Sequence, residues 1–122
     1  MLAVLSPAKK LNFDPVPENT LQTLPDFQLD ANRLTRLARK LSVEELRRLM
    51  SISEDLAKLN KTRFKAFAKD STADNSKQAM LAFAGDTYIG LDAGQFDAAD
   101  QTYAQDHLRI LSGLYGILRP MD

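Results

Sequence analysis

The chain has 122 residues, 44% hydrophobic and 26% charged, with a formal net charge of zero. This is an ordinary globular balance with enough chain for a real core, and it excludes collagenous, disordered and coiled-coil classes. Cysteine is absent and His107 is the one histidine, which excludes disulfides, thiolate or iron–sulfur sites and a histidine-rich metal site.

Met1 to Leu5 is a short apolar run stopped by Ser6-Pro7, which predicts a strand buried on both faces. Pro7, Pro15, Pro17 and Pro25 then punctuate an extended loop, with Leu11 and Phe13 alternating as a short edge strand. A helix is predicted from near Pro25, with Phe27, Leu34, Leu37, Ala38 and Leu41 on its apolar face. Ser42-Val43-Glu44-Glu45 reads as a capping box opening a second helix. Ser53-Glu54-Asp55 opens a third, its acidic residues at the positive end of the helix dipole. Gln78 to Phe83 fits helix or strand equally, and Gly85-Asp86 marks a turn before a short element at 87–91. Asp97 caps a helix expected to run towards Ile110 with Tyr103, Leu108 and Leu111 inward.

The zero net charge conceals an asymmetry. Between Arg33 and Lys69 stand eleven basic and four acidic residues; between Asp70 and His107 stand seven acidic residues and Lys77 alone. A basic face of this kind attracts phosphates, although helices also carry charge simply as solvated surface. No apolar run is long enough to cross a bilayer, so no membrane partner is expected, and the lack of cysteine fits the cytoplasm.

Three stretches carry groups capable of chemistry. Ser6-Pro7-Ala8-Lys9-Lys10 follows a strand, where α/β sheets place ligands; a serine and lysines there can hold an anion, and a buried Lys9 could act as a base. Gly85-Asp86-Thr87-Tyr88-Ile89-Gly90-Leu91 concentrates an acid and a tyrosine, with neither a phosphate-loop lysine nor a dinucleotide fingerprint. Leu111 to Pro120 holds Gly113-Leu114-Tyr115-Gly116 between apolar flanks, followed by Arg119. That pattern suits a helix-hairpin-helix turn, in which glycines admit a phosphate and helix-start N–H groups grip it. It suits equally a helix ending at Gly113, with Leu114, Ile117 and Leu118 in the core. His107 alone supports neither a triad nor a metal site, and no metal or cofactor is expected.

Ser-Pro-Ala-Lys at 6–9, Gly-Asp-x-Tyr-x-Gly-Leu at 85–91 and His-Leu-Arg-Ile-Leu-Ser-Gly-Leu-Tyr-Gly-Ile-Leu-Arg-Pro at 107–120 together resemble the YaaA family of bacterial peroxide-stress proteins. The resemblance covers the whole chain and implies a mixed α/β fold with a positively charged cleft and a helix-hairpin-helix element. Family members are roughly twice this length. On that basis residues 1–122 are expected to be the N-terminal portion of a single larger α/β domain, broken off at Asp122, with an incomplete fold whose open sheet edge favours self-association. The resemblance further implies double-stranded DNA as a non-specific partner of the full-length protein and protection against hydrogen peroxide and iron-linked damage. Carried over, phosphate contact falls on Gly113, Leu114, Tyr115, Gly116 and Arg119, with Ser6 and Lys9 lining the cleft. The competing expectation is an enzyme acting on a nucleobase or nucleotide-like molecule in a pocket of Ser6, Lys9, Asp86 and Tyr88.

Overall fold

The apolar N-terminal run forms strand β1 (Ala3–Leu5), as its composition requires, in a computed structural model that describes all residues from Met1 to Asp122. Helices α1 (Gln28–Ala38), α2 (Val43–Met50) and α3 (Glu54–Ala66) follow, then the short helices α4 (Ala79–Ala82) and α5 (Asp86–Leu91). A single 3-10 turn at Ala93–Gln95 leads to α6 (Ala98–His107), β2 (Leu108–Ser112) and β3 (Gly116–Leu118). The fold is therefore mixed α/β, with six α-helices and one three-stranded sheet of order β1-β2-β3. The chain divides into two compact units: Met1–Phe27 with Ser71–Asp122, and Gln28–Asp70.

In the first unit, β2 runs parallel to β1 and antiparallel to β3. Central β2 buries Ile110 completely, whereas β1 pairs on one side only and Val4 is 55% exposed. The strand thus forms where the apolar run predicts, but it is an edge strand with open faces rather than a buried one. Around Ile110 pack Ala79, Met80, Tyr88, Ala93, Ala104, Leu118 and Met121. Leu11 makes an isolated antiparallel bridge to Phe83, and the short edge strand expected from Leu11 and Phe13 does not form.

The stretch expected as a helix-hairpin-helix is a β-hairpin. Helix α6 ends at His107, and Leu108–Ser112 and Gly116–Leu118 pair across the three-residue turn Gly113–Tyr115. Gly116 has φ +73°, the left-handed residue that closes a hairpin loop of this length. Ile110 and Ile117 favour extended backbone, so the two glycines that suggested a helix-to-helix turn serve a strand-to-strand one. In α6 the inward residue is Ala104; Tyr103 lies outside and stacks on His107 with ring centroids 4.0 Å apart.

The second unit is helical. The Ser42 hydroxyl caps the Glu45 N–H and the Glu45 carboxylate returns to the Ser42 N–H, completing the capping box. Those bonds, led by that to the Ser42 backbone, hold the Glu45 carboxyl below its ordinary range. The Ser53 hydroxyl caps α3 by accepting the Leu56 N–H, without a returning carboxylate. Two cations serve the backbone: Arg39 donates to the carbonyls of Phe64 and Phe67, and Lys61 to those of Arg39 and Leu41. These satisfy carbonyls that helix ends leave without partners. The small core of this unit is Ala31, Thr35, Leu46 and Ala57. Helix α1 accordingly buries the stripe of Ala31 and Thr35, and the expected face is exposed at Phe27, Leu34 and Leu37.

Candidate functional site

The parallel pairing of β1 and β2, in register at Leu5 and Ile110, brings both strands to the same edge of the sheet. The chain leaves that edge at Ser6 and again at Gly113. Carboxyl ends of parallel strands are where α/β sheets place ligands. Two of the three motifs thus meet by topology.

The third is bonded to the first of them. The Tyr88 phenol donates to the Ser6 carbonyl at 2.6 Å, joining α5 to the loop that follows β1. Gly85, just before α5, lies so close to that loop that a Cβ placed on it would stand 3.0 Å from the Ala8 Cβ. Ala8, Phe83 and Tyr115 all pack against the core cluster around Ile110. Burial pushes the phenols of Tyr88 and Tyr115 above the ordinary tyrosine pKa.

Within the hairpin turn, the Ser112 hydroxyl oxygen accepts the Tyr115 N–H at 3.1 Å. No helix start exists here, so a grip by successive helix N–H groups is not available to the turn. Gly113 is open, with nothing within 4 Å of a Cβ built on it. Gly116 is exposed as well, and Leu114 and Tyr115 are half-buried.

Arg119 is engaged elsewhere. It donates to both oxygens of Asp122 and to the Leu24 carbonyl, and it pairs with Asp26 at 3.5 Å. The hydrogen bond to Asp122 is the main reason its guanidinium is held charged beyond its ordinary range. Its charge is therefore compensated locally. Asp122 also accepts the Thr23 hydroxyl at 2.6 Å, and its side chain is only 1% exposed. Nothing in the local pattern around Thr23 or Asp122 marked this pairing, because 99 residues separate the partners.

The proposed enzymatic quartet is only partly assembled. Ser6 and Tyr88 are joined through the Ser6 backbone, while the side chains of Ser6, Lys9 and Asp86 face solvent. The cavity that Tyr88 lines includes none of the other three. A different cavity of about 340 Å³, lined in part by the Leu111–Pro120 motif, opens between Phe13, Lys77, Phe83, Ser112, Leu114 and Tyr115. No group of three or more His, Asp or Glu side chains is placed to hold a metal ion. No helix is long and apolar enough to cross a membrane.

The basic segment forms the second unit's surface. Arg33, Arg47 and Lys58 pair with Asp30, Glu44 and Glu54 along their own helices. Arg39 and Lys61 are held by carbonyls. Arg36, Lys40, Arg48, Arg63, Lys65 and Lys69 are exposed and make no ion pair.

The family described as peroxide stress protein YaaA matches residues 1–122, the entire chain. The chain belongs to that family. It is 56% identical to a UPF0246 protein of Jannaschia sp., 53% to one of Roseobacter denitrificans and 52% to one of Ralstonia pickettii, each over all 122 residues. It covers 46%, 46% and 48% of those relatives, so it spans about half their length. The three motifs drawn together at the sheet edge are those on which the family resemblance rests.

Proposed function

We propose that this chain is part of a peroxide-stress protein that binds duplex DNA without sequence preference and limits hydrogen peroxide and iron-linked damage to it. The family name supports the stress role. The observation that carries DNA binding is the exposed set Arg36, Lys40, Arg48, Arg63, Lys65 and Lys69 in the second unit, none of them in an ion pair. Cations of that kind displace condensed counterions from a phosphate backbone, giving affinity independent of base sequence. In the first unit Ser6, Lys9 and the turn of Gly113, Leu114, Tyr115 and Gly116 offer a further contact, through an exposed lysine and open glycine backbone.

The test is fluorescence anisotropy with duplexes of unrelated sequence, on protein of the relatives' full length. Affinity should fall by about tenfold or more between 50 and 200 mM salt, with a similar slope for every duplex. Arg48→Ala combined with Arg63→Ala should weaken all duplexes alike and flatten the slope by about two. Salt-independent binding, or strong preference for one duplex, would overturn the reading. Strand scission by ferrous iron and peroxide, measured with and without the protein, checks the protective role.

A further inference from the structure

The cavity of about 340 Å³ in the first unit includes none of the exposed cations of the second unit and neither partner of the Ser6–Tyr88 contact. Its size lies at the lower end of the range for small-molecule sites. Three of its lining residues are aromatic, Phe13, Phe83 and Tyr115, and the remainder mixes aliphatic side chains such as Leu11 and Leu118 with polar ones such as Gln22 and Ser112. Such a lining takes a flat, apolar body.

Its charges are unequal. Asp122 reaches the lining, but its carboxylate is neutralised by Arg119 and filled by the Thr23 hydroxyl. Lys77 also lines the cavity, half-buried, and makes no ion pair or hydrogen bond. An ammonium without a counter-charge at the wall of a cavity is available to a bound anion through charge-assisted hydrogen bonds. Ser112 adds polarity: its oxygen already accepts from Tyr115, and its hydroxyl proton remains to be donated.

We infer that this cavity binds a small organic anion with a planar aromatic body, of the class of a nucleoside monophosphate, with the ring among Phe13, Phe83 and Tyr115 and the anion on Lys77. The site shares Leu114 and Tyr115 with the turn offered as a duplex contact, but it includes none of the second unit's cations.

Calorimetric titration of the intact chain with AMP, adenosine and inorganic phosphate tests this. AMP should bind more tightly than either fragment, since it satisfies the ring site and the cation together. Lys77→Met, which keeps the aliphatic stem, should weaken AMP roughly tenfold and leave adenosine within about twofold. Phe13→Ala should weaken AMP and adenosine together; Phe13 is 66% exposed, so this variant leaves the core intact. Equal binding of AMP by Lys77→Met and the parent chain would overturn the assignment. So would phosphate competing as well as AMP, or unchanged affinity in Phe13→Ala.

Discussion

The Thr23 hydroxyl donates to the Asp122 carboxylate at 2.6 Å, and the same carboxylate accepts the Arg119 N–H at 2.8 Å and its guanidinium. One buried side chain thereby closes the loop before α1 onto the end of the chain. Around it the Gln105 amide donates to Thr23 and accepts the Met121 N–H. Asp122→Ala leaves the Thr23 hydroxyl without its acceptor and Arg119 with only the Leu24 carbonyl and Asp26. Because the Arg119 side chain is 31% exposed and water can partly replace the bond, the expected loss is about 2–3 kcal/mol. Urea unfolding monitored by circular dichroism measures it. A Thr23→Val and Asp122→Asn cycle should show coupling above about 0.5 kcal/mol.

Removing the Tyr88 hydroxyl tests the contact between α5 and the Ser6 loop. Tyr88→Phe should cost about 1 kcal/mol, the net value of one hydrogen bond.

Alkaline pH probes the same residue and Tyr115. Both phenols have folded-state pKa values above the unfolded value of about 10, because burial disfavours the phenolate. The unfolded chain releases these protons first, so their contribution is complete below about pH 10 and is lost as pH rises through the folded values. Stability should decline from about pH 10 upward, and less steeply in Tyr88→Phe. Thermal unfolding across pH 8–11 with phenolate absorbance reads both effects.

The two turn glycines should behave differently. Gly116 has φ +73° and Phe27 lies 3.4 Å from a Cβ built on it, so Gly116→Ala should cost about 1–2 kcal/mol. Gly113→Ala meets open space and should be near neutral. Equal effects in thermal melts would contradict the hairpin geometry. The contrast also makes Gly113 the better position for probing a ligand contact without disturbing the fold.

Thr35 is 1% exposed in α1, and its hydroxyl has no hydrogen-bond partner. Thr35→Val preserves the shape and removes the orphaned group. A gain of about 1 kcal/mol is expected, read from denaturant midpoints at unchanged slope.

Self-association provides a last check. Leu2 and Val4 on or beside β1, and Leu29, Leu37 and Leu49 in the second unit, stand exposed, and β1 has one unpaired edge. Sedimentation velocity should show concentration-dependent association of the 122-residue chain. Only monomer at high concentration would count against it.

Local chemistry was legible in the sequence wherever the cause is local. Ser42 and Glu45 are three residues apart and cap α2 as their spacing dictates; Ser53 and Asp97 do the same for α3 and α6. The run before Ser6-Pro7 is a strand, and the three family motifs identify the chain. Tertiary structure decided what depends on distant partners. Gly113–Gly116 is a strand turn because β2 pairs with both β1 and β3, a choice that glycine spacing alone leaves open. Arg119 is bound to Asp122, and Asp122 to Thr23, because burial of a carboxylate demands every available donor. Helix α1 buries Ala31 and Thr35 and leaves Leu29, Leu34 and Leu37 exposed. Periodicity marks which residues can share a helix face; only packing selects the face that is covered.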